Sequence, residues 1–233
     1  MNSNTNFLTE IKNISNDINV FIPSTKSDVK CKPLNLQQQK NILDDISSDA
    51  SSILTFFNNS YKIINQCIEN SKDLLVIDRP NILISLRNNI DNMYDDVNLS
   101  KLLEKNKEIE VNSVNEVIET NDFIFDVGIP TLEQDYKSND YLVKAFKGET
   151  KILGKLYVNE LSKFIKKITI KSSENVIDFT DSSIKDKFNI IQNIETNNFK
   201  DIYKFITSIR DLEKAFVTLN DETVDIGPEL FVL

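Results

Sequence analysis

The stretch Ile18 to Lys40, INVFIPSTKSDVKCKPLNLQQQK, constrains the fold more than any other, because two period-two runs and a turn lead directly into a capped helix. Ile18, Val20 and Ile22 alternate with Asn19 and Phe21, and Val29, Cys31 and Pro33 alternate with Lys30 and Lys32. Successive side chains on a strand point to opposite faces, so this alternation predicts two half-buried strands with Pro23 to Asp28 as the connecting turn. Asn35 is placed to cap a helix starting at Leu36, and Gln38, three residues on, is placed to return the hydrogen bond of a capping box. The segment predicts a hairpin leaning on a helix and holds no catalytic residue.

Elsewhere the periodicity is mainly helical. Residues 1–16 are polar and Asn-rich, with Phe7, Leu8, Ile11 and Ile14 at helical spacing, and read as a flexible N-terminal segment that can fold on docking. After a polar break at Asp49 to Ser52, Ile53, Phe57, Tyr61, Ile64 and Ile68 mark an apolar stripe. Phe56, Ile63 and Cys67 widen it, which predicts a helix central to the core that ends near Asn70. Pro80 suits a first helical turn, and Ile82, Leu83, Leu86 and Ile90 continue a third apolar face.

Between Asp95 and Pro130 the rhythm shortens. Glu108 to Val111, Val114 to Ile118 and Phe123 to Ile129 predict an antiparallel meander ended by Gly128 and Pro130. Thr131 to Leu142 reads as a weak helix and Lys151 to Leu153 as a short strand. Helical spacing returns in Tyr157, Leu161, Phe164, Ile165 and Ile168, in Ile184, Phe188, Ile191 and Ile194, and in Ile202, Phe205, Ile206 and Ile209. Ala215 to Leu219 and Thr223 to Ile226 flank Asn220 to Glu222 as a closing hairpin. The expected class is α+β. Residues 17–132 form a module with an N-terminal β-hairpin packed on helices and an antiparallel meander, and residues 133–233 a mainly helical module closed by a β-hairpin.

Charge and residue usage narrow the chemistry. With 36 acidic against 27 basic residues the net charge is −9, and no basic stripe appears, which argues against nucleic acid and suits protein partners. No apolar run approaches the roughly 20 residues that cross a bilayer, and MNSNTNFLTE lacks the parts of a signal peptide, so no membrane is expected and the chain reads as cytoplasmic. For the same reason the glycosylation-like Asn13-Ile14-Ser15 and Asn98-Leu99-Ser100 carry no weight. Histidine is absent, which removes the commonest general base and metal ligand. Four glycines leave few phosphate-cradling turns. Cys31 and Cys67 read as two small buried hydrophobes and have no zinc-like spacing, so neither metal nor cofactor is expected.

The remaining catalytic candidates are carboxylate pairs: Asp44 with Asp45, Asp95 with Asp96, and Glu133 with Asp135, which a glycosidase or a magnesium site could use. Helical neighbours point to different faces, so these read as solvated surface, as does Lys166-Lys167. The apolar terminus has two readings. It tucks into its own domain, or it offers Leu230, Phe231, Val232 and Leu233 as contacts for a partner.

Ile22-Pro23-Ser24-Thr25, the strand Val29 to Pro33 and the helix Gln38 to Leu43 together resemble the start of the T4-like bacteriophage baseplate hub and hub-assembly family. The run Ile68 to Arg87, an acidic and apolar linker followed by Ile82-Leu83-Ile84-Ser85-Leu86-Arg87, looks like that family's second and third helices, and Asp126 to Leu132 like its strand closing on a Pro-Thr helix start. The order of Phe199 to Asp211, Ala215 to Leu219 and the apolar end also follows the family. Many of its members carry paired cysteines like a zinc ribbon. Leu99 to Val111 and Phe216 to Ile226 contain none, so no metal is carried over. The resemblance implies a non-enzymatic structural or assembly protein of a contractile tail, a hub subunit or hub-assembly factor. It would belong to a hetero-oligomeric assembly with other baseplate or tail proteins, in the virion or in the host cytoplasm during assembly. The alternative from another class is a carboxylate-dependent phage hydrolase such as a wall-degrading enzyme.

Overall fold

The structure, a computed structural model, describes residues 16–44, 51–112, 114–145 and 153–232. The opening hairpin forms as its alternation requires: β1 (Ile18–Ile22) pairs antiparallel with β2 (Ser27–Cys31), Val20 opposite Val29 and Ile18 opposite Cys31. Val20, Ile22 and Cys31 are buried on one face. The turn spans 23–26, shorter than the sequence suggests, because Ser27 and Asp28 join the ladder and Lys26 turns the chain at φ 53°. Asn35 caps α1 (Leu36–Leu43), and both capping-box bonds are present, Gln38 N–H to Asn35 Oδ1 at 2.9 Å and Asn35 N–H to Gln38 Oε1 at 3.0 Å.

The wide stripe after residue 50 becomes α2 (Ser51–Cys67), which buries Phe56, Tyr61, Ile63, Ile64 and Cys67. The helix stops at Cys67 because Ile68 leaves it to bridge Cys31, and Asn70 then adopts φ 58°. Of the polar break expected before it, residues 49 and 50 lie outside the described residues. α3 (Arg79–Asn88) starts with Pro80 in its first turn and is enclosed on every side, Arg79 through Arg87 all being buried. Its polar side chains are therefore spent on neighbours. Asn81 Nδ2 donates to Phe21 O at 2.7 Å, and Asn106 Nδ2 donates to Asn81 Oδ1 at 2.9 Å and to Phe216 O at 2.8 Å.

The middle of the chain departs from the expected meander. A short hairpin of β3 (Met93–Tyr94) and β4 (Val97–Asn98) leads into α4 (Leu99–Asn106), whose cap is Asn98 and whose buried face is Leu99 and Leu102. Glu108 to Val111, read as the first meander strand, forms none. β5 (Asn115–Glu119) and β6 (Phe123–Gly128) form as expected, but the sheet continues with β7 (Ile165–Ile170) and β8 (Val176–Asp178), in the order β5-β6-β7-β8 and antiparallel throughout. The sheet thus takes two strands from each side of the boundary at 132/133.

β7 lies where Ile165 and Ile168 had suggested helix. The ladder explains the disguise: Asp126 faces Lys167 and Val127 faces Ile165, so Lys166 is an extra residue, a β-bulge. Two residues three apart then point to the same face, Ile165 and Ile168 are both buried, and the strand mimics a helical period.

The other α-helices among the described residues are α5 (Leu132–Ala145), α6 (Leu153–Phe164), α7 (Ile184–Gln192) and α8 (Lys200–Val217). Leu153, expected to end a strand, begins α6; residues 151 and 152 lie outside the described residues. α8 runs through Ala215 to Val217, so the closing hairpin shrinks to β9 (Thr218–Leu219) and β10 (Glu222–Thr223). It turns on Asn220 and Asp221 at φ 50° and 69°. Lys105 meets the orphan carbonyls at that end of α8, donating to Ala215 O and Thr218 O at 2.6 Å each. Buried apolar side chains from Val20 to Phe231 form one cluster across both halves. Asn35→Ala should lower the unfolding free energy by about 1 kcal/mol in urea titration, and Asn35→Asp should restore most of it.

Candidate functional site

The densest chemistry lies where α3, α5, α6 and α8 meet. Leu132, Asp135, Asn139 and Leu142 share one face of α5, all buried, so Asp135 points inward while Glu133 stays near the surface and pairs with Lys137 at 3.2 Å. Asp135 is 3% exposed and receives two cations. Lys163 of α6 approaches Oδ1 at 2.8 Å, and Arg79, the first residue of α3, binds Oδ2. Lys163 also holds Glu160 at 2.8 Å, and Glu160 reaches Arg210 of α8 at 3.3 Å. The chain of charge thus ties four helices.

Burial opposes the charge of Asp135, but Lys163 and Arg79 outweigh it and hold the carboxyl well below the usual range. Burial likewise opposes the charge of Lys163, and Asp135 with Glu160 raise it above its ordinary value. With both oxygens occupied, Asp135 serves as an anchor. Glu213, one turn beyond Ile209 on α8, behaves differently: burial, with Glu160 and Asp135 nearby, pushes its carboxyl to about 7 against the pull of Arg79 and Lys163. It lines a cavity of about 270 Å³ with Arg79, Val217 and Val224. The guanidinium of Arg79 lies 4.7 Å from the centre of the Phe57 ring, and its Nε is buried without a partner. A carboxyl exchanging its proton near neutrality beside a fixed cation, with a space in front of it, is the group of this cluster poised for acid-base chemistry.

Of the carboxylate pairs, only Asp135 joins the cluster. Asp44 is the exposed C-cap of α1, Asp45 lies outside the described residues, and Asp95 and Asp96 form the β3–β4 turn. Sequence reasoning passed over Arg79, Lys163 and Glu213. The signal was present for Glu213, which falls on the Ile202, Ile206, Ile209 stripe, and for Asp135 between Leu132 and Leu142.

The apolar terminus divides. Leu230 and Phe231 are fully buried, so these two of the four proposed partner contacts are core residues. Val232 is 51% exposed, and Leu233 lies outside the described residues. The cause is the Gly227-Pro228 break, after which a short turn at Pro228–Phe231 folds back on α1, where Gln39 Nε2 donates to Phe231 O at 2.9 Å. Cys31 and Cys67 are buried and free, but they are neighbours: Cys31 bridges Ile68, and Lys32 N–H donates to Cys67 O at 2.9 Å. The neighbouring thiol and burial raise Cys31, whose Sγ donates to Lys32 O at 3.5 Å, and Cys31 in turn lowers Cys67, with Gln38 Nε2 3.8 Å from Cys67 Sγ.

No protein-family model matches the chain, and neither a curated protein nor a solved structure does.

Asp135→Asn leaves buried Arg79 without its anion and Lys163 with Glu160 alone, and should destabilise the protein by about 3–5 kcal/mol in chemical denaturation. Glu213 makes the opposite kind of pH dependence from Asp135. Between its ordinary 4.5 and about 7 the folded state keeps a proton that the unfolded chain has released, so stability falls as pH rises through that window. Glu213→Gln should flatten this fall and stabilise the protein above pH 7. The Asp135 contribution is separate, being lost as pH drops below 3.8. Melting temperatures of both proteins from pH 4 to 8 check the difference.

Proposed function

We propose that the chain is a structural or assembly protein of a contractile phage tail baseplate, a hub subunit or hub-assembly factor, working through contacts with other baseplate or tail proteins. One observation carries the reading: the residues that bear the resemblance are frame residues that hold one another. Ser24 of the Pro-Ser-Thr turn donates its amide and hydroxyl to Asp78 at 2.9 and 2.7 Å, just before the Ile82–Arg87 landmark. Arg87 donates to Asp91 O and Met93 O at 3.0 and 3.1 Å. At the third landmark, Thr131 and Gln134 make a second capping box at 3.0 and 3.2 Å, turning the end of β6 into α5. A likeness that resides in such joints supports a part whose task is to hold a shape between neighbours.

A second reading, a carboxylate-dependent hydrolase, is favoured by the raised carboxyl of Glu213 beside its cavity. Mass spectrometry of purified tail particles and assembly intermediates separates the two. The protein is expected at fixed stoichiometry in particles or in baseplate intermediates, and its absence from both would sink the baseplate reading. Wall-lytic activity abolished by Glu213→Gln would establish the hydrolase instead.

A further inference from the structure

A chain of net charge −9 gathers four lysines around one cavity. The space, about 310 Å³, opens between α5, α6, β7 and the start of α7, and is lined by Lys137, Lys163, Lys166 and Lys187, with Glu133 the one carboxylate among its described lining residues. Two of the cations are matched: Lys137 by Glu133, and Lys163 by Asp135 and Glu160. Lys166 and Lys187 have no carboxylate within ion-pair distance among the described residues. Lys166 Nζ donates to Asn115 Oδ1 at 2.6 Å, and Lys187 Nζ sits 6.0 Å from the centre of the Phe179 ring. Asp178 acts on Lys187 only from farther away, its Oδ1 accepting from the amide and hydroxyl of Thr180 at 2.7 and 2.5 Å.

Burying a cation without an anion is costly, and both groups carry the mark of that cost: burial lowers each below its ordinary value, in Lys187 against the pull of Asp178. The backbone nevertheless goes out of its way to place Lys166. It is the bulged residue of β7, and a bulge is a means of re-aiming a side chain. Across the sheet Gly128 makes room for it, since a Cβ there would overlap both Asn115 Oδ1 and the end of the Lys166 side chain. Two lysines that line one small cavity and have no carboxylate partner among the described residues complement a doubly charged oxyanion. A phosphate ester carries about −1.5 to −2 at neutral pH, and lysine meets it as a point charge.

We propose that this cavity binds the phosphate group of a small molecule, with Lys166 and Lys187 supplying the unmatched charge and Lys163 held in place by Asp135. The site stands apart from the baseplate reading and does not depend on it. The test titrates the full chain calorimetrically with inorganic phosphate and, in a second arm, with glycerol phosphate, at ionic strength held constant with sodium chloride. Saturable binding is expected in at least one arm, and Lys166→Gln with Lys187→Gln should weaken it about tenfold or more. Binding of the ester alone assigns the site to phosphomonoesters, whereas binding of both assigns it to the phosphate group itself. Because the double variant loses two cations that lack an anion, its melting temperature without phosphate should be no lower than the parent's. No saturable binding in either arm, equal affinity in the variant, tighter binding of citrate than of both phosphates, or a variant that melts well below the parent would each overturn the proposal.

Discussion

Asp135 is the charge on which the packing of the helices depends. Arg79 begins the most enclosed helix and Lys163 sits near the end of α6, and neither could be buried without an anion at their meeting point. A buried ion pair adds little net stability over a well-packed apolar alternative, so its clearest consequence is geometric. It fixes α3, α5 and α6 in one arrangement, and Glu160 with Arg210 extends that arrangement to α8. Glu213 is the residue left over in this scheme. It is buried near two carboxylates, Glu160 and Asp135, and two cations, Arg79 and Lys163, without a direct bond to a cation among the described residues, and its proton becomes loose near neutrality chiefly through that burial.

A second set of constraints comes from the polar groups of α3 and the turn preceding it. A helix buried all round must place every polar side chain against a partner, and here those partners lie far away in sequence. Asp78 takes Ser24, Asn81 takes Phe21 and Asn106, and Arg87 takes the carbonyls of Asp91 and Met93 at the start of β3. These bonds dock the opening hairpin, α4 and the end of α8 onto one helix. The hairpin that dominates the sequence is therefore held by residues about 54 to 60 positions away. Leu230 and Phe231 are buried as apolar side chains, and Phe231 O accepts from Gln39 of α1.

The sheet shows how a local device can mislead a sequence reading and serve chemistry at once. One extra residue in β7 changes its apolar spacing from two to three, which reads as helix, and the same residue is one of the lysines that line the cavity. Lys166-Lys167 looked like a solvated pair. In the sheet the two part company: Lys167 pairs at the surface with Asp126 at 2.8 Å, while Lys166 crosses toward Asn115. Neither Gly128 nor Asn115 announces this role, because Lys166 reaches Asn115 across β6 from 51 positions away in sequence.

Taken alone, the sequence determined the elements whose cause is local. The β1–β2 hairpin follows from alternation, α1 from its capping box, the first turn of α3 from Pro80, and α2, α7 and most of α8 from stripes at 3.6-residue spacing. The α+β class followed from these. Position along the sheet, the length of α8, the missed α4 and the fate of the terminus were tertiary decisions, since each depends on which distant surface offers burial. So was the charge cluster. A sequence shows that Asp135, Arg79, Lys163 and Glu213 are ionisable, but the energy of a charge depends on its distance from other charges and from water. Only the packing of α3, α5, α6 and α8 sets those distances.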